Sequence, residues 1–182
     1  MQSSESQNSV YAPAVIEFIT VAARYCLFLE KMEGVNDRSL LENMTKFLPL
    51  IYVKAALLPA AELDEEEDGE YEDELPEEVT QADYDYVRQA VWRVLGGDDC
   101  YLEVFSPDMQ YSEEPITASI SEDLADIYQD LKNFVAVCAD GVEENMQRAL
   151  AKVKENFESY WGRKLVCVMR PMHDLMYNRQ QS

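Results

Sequence analysis

Along most of the chain apolar residues return every three or four positions, and that spacing predicts five helices. Between about Ser9 and Met32 the chain is apolar around most of a helical circumference, the pattern of a central helix with neighbours on several sides, stopped by Gly34. Glu17 and Arg24 lie on one face of it. The pattern puts Arg24 at an exposed edge and leaves the place of Glu17 open. A second stripe runs through Leu40, Leu41, Met44, Phe47, Leu48, Ile51, Tyr52, Ala55 and Leu58. Ser39 and Glu42 have capping-box spacing at its start, Pro49 predicts a kink or a division, and Pro59 predicts its end.

Thr80 with Asp83 predicts the start of a third helix, carried by Val87, Ala90, Val91 and Val94 to the Gly96-Gly97 stop. Ser119 or Ser121 caps a fourth, whose stripe is Leu124, Ile127, Tyr128, Leu131, Phe134, Val135 and Cys138. After Gly141 a fifth stripe, from Val142 through Met146, Leu150, Val153, Phe157, Trp161 and Leu165 to Val168, passes straight through Gly162. It predicts one helix of about 29 residues, Val142 to Arg170, ended by Pro171, with "MHDLMY" adding one last turn. "CYLEVF" has strand composition, but no partner run is evident, so residues 96–120 are read as an irregular loop pinned by Tyr101, Phe105 and Tyr111. Trp92 and Trp161 both fall on apolar stripes and are assigned to the core.

The prediction is an all-α, single-domain bundle of five or six helices over 9–178, with flexible tails at 1–8 and 179–182. A length of 182 residues, 47% of them apolar, suits one domain with a good core.

Charge adds one feature that periodicity misses. From Glu62 to Val79, twelve of eighteen residues are Asp or Glu, and none is basic. Carboxylates so dense repel one another and bury little surface, which predicts a mobile acidic loop at 62–79. The net charge is −21, so about −9 remains outside that run. Such a field disfavours nucleic acid and anionic lipid, and leaves basic protein surfaces, cations and neutral ligands as partners. Cys26, Cys100, Cys138 and Cys167 form no CxxC pair and read as reduced, buried small hydrophobes. The first residues lack a basic signal-peptide region. The apolar stretch Val15 to Leu29 is interrupted by Glu17 and Arg24 and is short for a membrane span, so a cytoplasmic protein is expected.

Candidate chemistry centres on the fourth helix. Glu122, Asp126 and Asp130 are four apart and share a face, with Asp123 one step round. Such a row can hold Mg²⁺, Mn²⁺ or Ca²⁺ if a second helix adds oxygen ligands. The competing reading, which is favoured, is the wet side of an amphipathic helix with acids at its positive end. His173, beside Arg170 and Asp174, is the single histidine and is read as packing at a helix end. No Gly-rich phosphate loop, nucleophile motif or Glu-x-x-His pair occurs.

"SISEDLADIYQDLKNF" (119–134) and "ESYWGRKLVCVMRPMHDL" (158–175) resemble an uncharacterised bacterial family, domain of unknown function 5063. The resemblance covers most of 10–175 and leaves the acidic run outside as an insertion. Lys164 departs from the pattern, which has His at that place. The resemblance implies a helical cytoplasmic protein without an assigned activity. It draws together Asp123, Asp126, Tyr128, Trp161, Gly162 and His173, with Arg170 or His173 facing the acids across a cleft. The function expected is a small interaction or adaptor domain whose partner carries a basic surface, with no cofactor. The first alternative is a ligand- or cation-binding protein or enzyme using Asp123, Asp126 and Asp130. The second is a polyanion mimic acting through 62–79. Oligomeric state is left open.

Overall fold

The computed structural model describes residues 10–60, 75–103 and 116–178. Six helices and a two-stranded sheet make up the described chain: α1 (Pro13–Glu30), α2 (Asp37–Ala56), α3 (Gln81–Leu95), β1 (Cys100–Glu103), β2 (Ile116–Ser119), α4 (Ile120–Asp140), α5 (Glu143–Asn156) and α6 (Gly162–Tyr177). The all-α bundle is confirmed, with the small sheet as an addition to it. Most of the acidic run, 62–74, lies outside the described residues.

The centre of the bundle is α4 rather than α1. It packs against α1, α3, α5 and α6, whereas α1 leaves Ile16 and Leu27 exposed. Phe18, Tyr25, Leu48, Ile51, Leu124, Leu131 and Trp161 are among the fully buried side chains. Each buried side chain of this size contributes about 1.5–3 kcal/mol relative to exposure, so this contiguous core is the main stabilising element. The Tyr25 hydroxyl is also buried, and it donates 2.8 Å to the Leu124 carbonyl, tying α1 to α4. Arg24 is exposed, and Glu17, also exposed, pairs with Lys54 on α2.

Helix ends explain several departures from the predicted pattern. Asn36, not Ser39, caps α2: its side chain accepts from the Ser39 N–H at 2.8 Å. Pro49 lies inside an undivided α2, which ends at Ala56, ahead of Pro59. The Thr80–Asp83 capping box is present on α3. The backbone just before it is fastened, because the Asn133 side chain accepts from both the Glu78 and Val79 N–H groups. On α3, Val87, Ala90, Val91 and Leu95 face inward and Trp92 does not; it is 55% exposed, which corrects its assignment to the core.

The segment read as a loop contains a strand. Cys100–Glu103 pairs antiparallel with Ile116–Ser119, Cys100 opposite Ser119 and Glu103 opposite Ile116. The partner is only four residues long and runs directly into α4, so its alternation is too short to register as a strand. The hairpin also supplies the cap of α4. Ser119 stands at the N-cap but its hydroxyl turns away to the Asp99 carboxylate at 2.6 Å. Asp99, three per cent exposed, accepts the Ser121 N–H and hydroxyl, each at 2.8 Å.

The predicted long helix is real but not regular. Between α5 and α6 the backbone makes a π-helical turn, Phe157–Trp161, and then continues through Pro171 to Tyr177. Gly162 makes the turn possible. A Cβ there would stand 2.3 Å from the Phe157 carbonyl oxygen, closer than any side chain tolerates. The turn buries Trp161, whose ring N–H donates to the Val153 carbonyl at 3.1 Å. Among the described residues no helix is long and apolar enough to cross a membrane.

Candidate functional site

Three residues apart on α4, Asp123 and Asp126 share a face, and that face is turned toward other helices rather than toward water. Asp123 is five per cent exposed. Packing of α6 on α4 places Lys164 between the two carboxylates, 3.1 Å from Asp123 Oδ1 and 2.8 Å from Asp126 Oδ2. β1 brings Tyr101, whose hydroxyl donates to Asp123 Oδ2, and α3 brings Tyr84, whose hydroxyl donates to Asp126 Oδ1 at 2.9 Å. The Tyr160 ring, from the π turn, lies with its centre 5.4 Å from Lys164 Nζ. Each of the four carboxylate oxygens therefore has a donor, and among the described residues no buried side-chain polar atom lacks a partner.

The electrostatics follow from this arrangement. Burial raises Asp123 above the ordinary carboxylate range, against the lowering effects of the Tyr101 hydrogen bond and the Lys164 charge. Lys164 is raised, its desolvation outweighed by its bonds to Asp126 and Asp123, so it is a held ammonium and not a nucleophilic amine. Burial and then the Asp126 charge push the Tyr160 hydroxyl up to about 12. The wet-face reading holds for Glu122, which is exposed, and fails for Asp123 and Asp126: the first is buried, the second half-buried, and a cation contributed 41 and 38 positions further along the chain offsets them.

The other residues singled out in the sequence divide among separate places. Glu122 is exposed. Asp130 accepts from the Asn156 side chain at 2.6 Å, and burial raises it. With Asp126 held by Lys164 and Tyr84, the three acids of the proposed metal row do not converge. Among the described residues no group of three or more His, Cys, Asp or Glu side chains is placed to hold an ion. Tyr128 is buried and bonds Glu30 at 3.0 Å, and Glu30 also pairs with Lys132 at 2.7 Å. Trp161 is fully buried in the core, its ring against Phe18 and Phe157. Arg170 and His173 are exposed on the outer face of α6, and the His173 ring packs on Tyr177. Neither faces the acids, so the cation of the cluster is Lys164, which sequence reasoning had noted only as a departure. Tyr84 and Tyr101 were missed, since nothing in helical periodicity shows which distant hydroxyls reach a given carboxylate.

Beyond Tyr101 lies a different kind of surface. A groove of about 620 Å³ runs between β1 and α6, lined by Tyr101, Leu102, Val166 and Pro171 with Glu103, Cys167, Arg170 and Asp174. Leu102 is 60% exposed and Val166 53%. The Cys167 thiol lies 3.7 Å from Glu103 Oε1 across it, and burial pushes that thiol up. The four cysteines are free, as expected of reduced residues. Only Cys26 is fully buried, and Cys100 is exposed, which corrects its place in the core.

Comparison with known proteins adds a family and a shape. The family model described as Domain of unknown function (DUF5063) matches residues 9–178. The crystal structure of protein BF1032 from Bacteroides fragilis superposes with a TM-score of 0.80 at 40% sequence identity, covering 95% of this chain and 98% of that one. No curated protein matches the sequence.

Proposed function

Because the chain belongs to this family of unknown function, its relatives supply no activity, and we propose from the geometry that it is a protein-interaction domain that docks a partner in the β1–α6 groove. The observation that carries this reading is the pair Leu102 and Val166, large apolar side chains more than half exposed on opposite walls of one concave surface. Exposed apolar surface is costly to maintain and, where it is concave and rimmed by charge, marks a contact site. The carboxylate cluster supports the same reading from the other side. Its oxygens are already taken by Lys164, Tyr84 and Tyr101, and the Tyr101 and Lys164 bonds hold β1 and α6 against α4, fixing the two walls of the groove. The net charge of −21 favours a partner with a basic surface.

Capture from lysate of the organism that makes the protein tests this reading. Wild type retains a discrete partner that is released as salt rises. Leu102→Asp and Val166→Asp lose it without loss of melting temperature, and Val53→Asp, on the exposed face of α2, keeps it. A partner retained equally by all three variants would exclude the groove.

A further inference from the structure

Leu102 belongs to a strand with one edge unpaired among the described residues. Among the described residues β1 and β2 are the whole sheet, so β2 covers one side of β1 only. In an antiparallel pair, alternate residues turn their N–H and C=O groups away from the partner strand. Outside the pair itself, no backbone hydrogen bond among the described residues reaches Tyr101, Leu102 or Glu103. These three consecutive residues all border the groove. Successive side chains of a strand point to opposite faces, so a cavity touching three in a row lies along the strand's edge. The opposite wall is α6, with Val166, Arg170 and Asp174.

Resting on the interaction reading above, the geometry points to a partner of one kind: an extended segment that adds to β1 as a third strand. It seats an apolar side chain between Leu102 and Val166 and directs Lys or Arg toward Glu103 and Asp174. In this mode main-chain hydrogen bonds supply affinity and alternate side chains supply selectivity. Charge selects the occupant. Two carboxylates and one guanidinium line the groove, and none of them enters an ion pair among the described residues. Among the described residues the Glu103 carboxylate accepts only from the weak Cys167 thiol donor, and that of Asp174 only from the side-chain amide of Asn178. A second copy of the chain is disfavoured, because it would bring another charge of −21 and a second Glu103 to the same edge.

The test is selection of short random peptides against the full chain. Selected peptides carry an apolar residue flanked by Lys or Arg, and their affinity falls about tenfold or more as salt rises from low to physiological strength. Leu102→Asp and Val166→Asp each abolish binding, while Val53→Asp, on the exposed face of α2 and outside the groove lining, retains it. All three positions are exposed, and circular dichroism checks that the variants fold. Methylating the peptide's backbone nitrogens one at a time abolishes binding at alternate positions only, as one edge of a strand requires. Groove-dependent peptides that are neutral or acidic, or that tolerate N-methylation everywhere, overturn the strand-addition inference and leave the interaction reading standing. A selection that returns no peptide, or only peptides indifferent to both groove variants, also overturns the inference. The interaction reading falls with it only if lysate capture ignores the groove as well.

Discussion

Lys164→Met removes the cation held between Asp123 and Asp126 while keeping the apolar stem of the side chain. Both carboxylates then remain packed beneath α6, the Asp123 side chain six per cent exposed and that of Asp126 fifteen per cent. Breaking a buried pair by deleting one partner costs about 3–5 kcal/mol, because the other charge is left without compensation. Lys164 keeps 30% of its side chain in contact with solvent, so water already shares the screening. The expected loss is therefore nearer to about 2–3 kcal/mol. For 182 residues this lowers the melting temperature by about 4–12 °C at neutral pH, read by circular dichroism. The pH dependence is more diagnostic than the magnitude. Burial already raises Asp123 in the wild type, and removal of Lys164 raises it further. A carboxyl raised on folding binds its proton more tightly in the folded state, so stability falls as pH rises through the folded value. The deficit is thus largest at neutral pH and shrinks as the solution is acidified toward the ordinary carboxylate pKa of about 4. An unchanged melting temperature, or a deficit that widens on acidification, would refute the placement of Lys164 between two buried acids.

Gly162→Ala tests the π turn by its sign. At an ordinary helical site the change stabilises by about 1 kcal/mol, but here the added carbon meets the Phe157 carbonyl oxygen, so urea denaturation should show destabilisation of about 2 kcal/mol or more. Asp99→Ala strips the Ser121 N–H and two hydroxyls of their acceptor and should cost about 1–2 kcal/mol in the same assay, with Asp99→Asn recovering part of it. With a thiol reagent under native conditions, Cys100 should react first and Cys26, two per cent exposed and raised by burial, only on unfolding. A fast-reacting Cys26 would contradict the packing of α1 on α4.

The helices were legible because their apolar residues repeat over ten or more positions, enough to outvote any single residue. The Thr80–Asp83 box was legible because both halves of it lie within one turn. Short or distant relationships were not. The partner of "CYLEVF" is four residues long, and Asp99 caps a helix from across the hairpin. Trp92 sits one step beyond the inward arc of α3, and periodicity resolves a helix face only to about one such step. The acids of α4 looked solvated because their helix has an apolar stripe elsewhere. A helix at the centre of a bundle has neighbours on more than one face, however, and which face is buried depends on where α3 and α6 return. Lys164 was visible as a residue type, but its partners 38 and 41 positions earlier were not, since no local pattern encodes them.

The measurement that most directly tests docking in the β1–α6 groove is site-specific photo-crosslinking inside the organism that makes the protein. A photoreactive side chain is placed at Leu102, at Val166 or, as control, at Val53. The groove account predicts one discrete crosslinked species shared by positions 102 and 166 and absent from position 53. Crosslinks confined to position 53, or none from either wall of the groove, would contradict it.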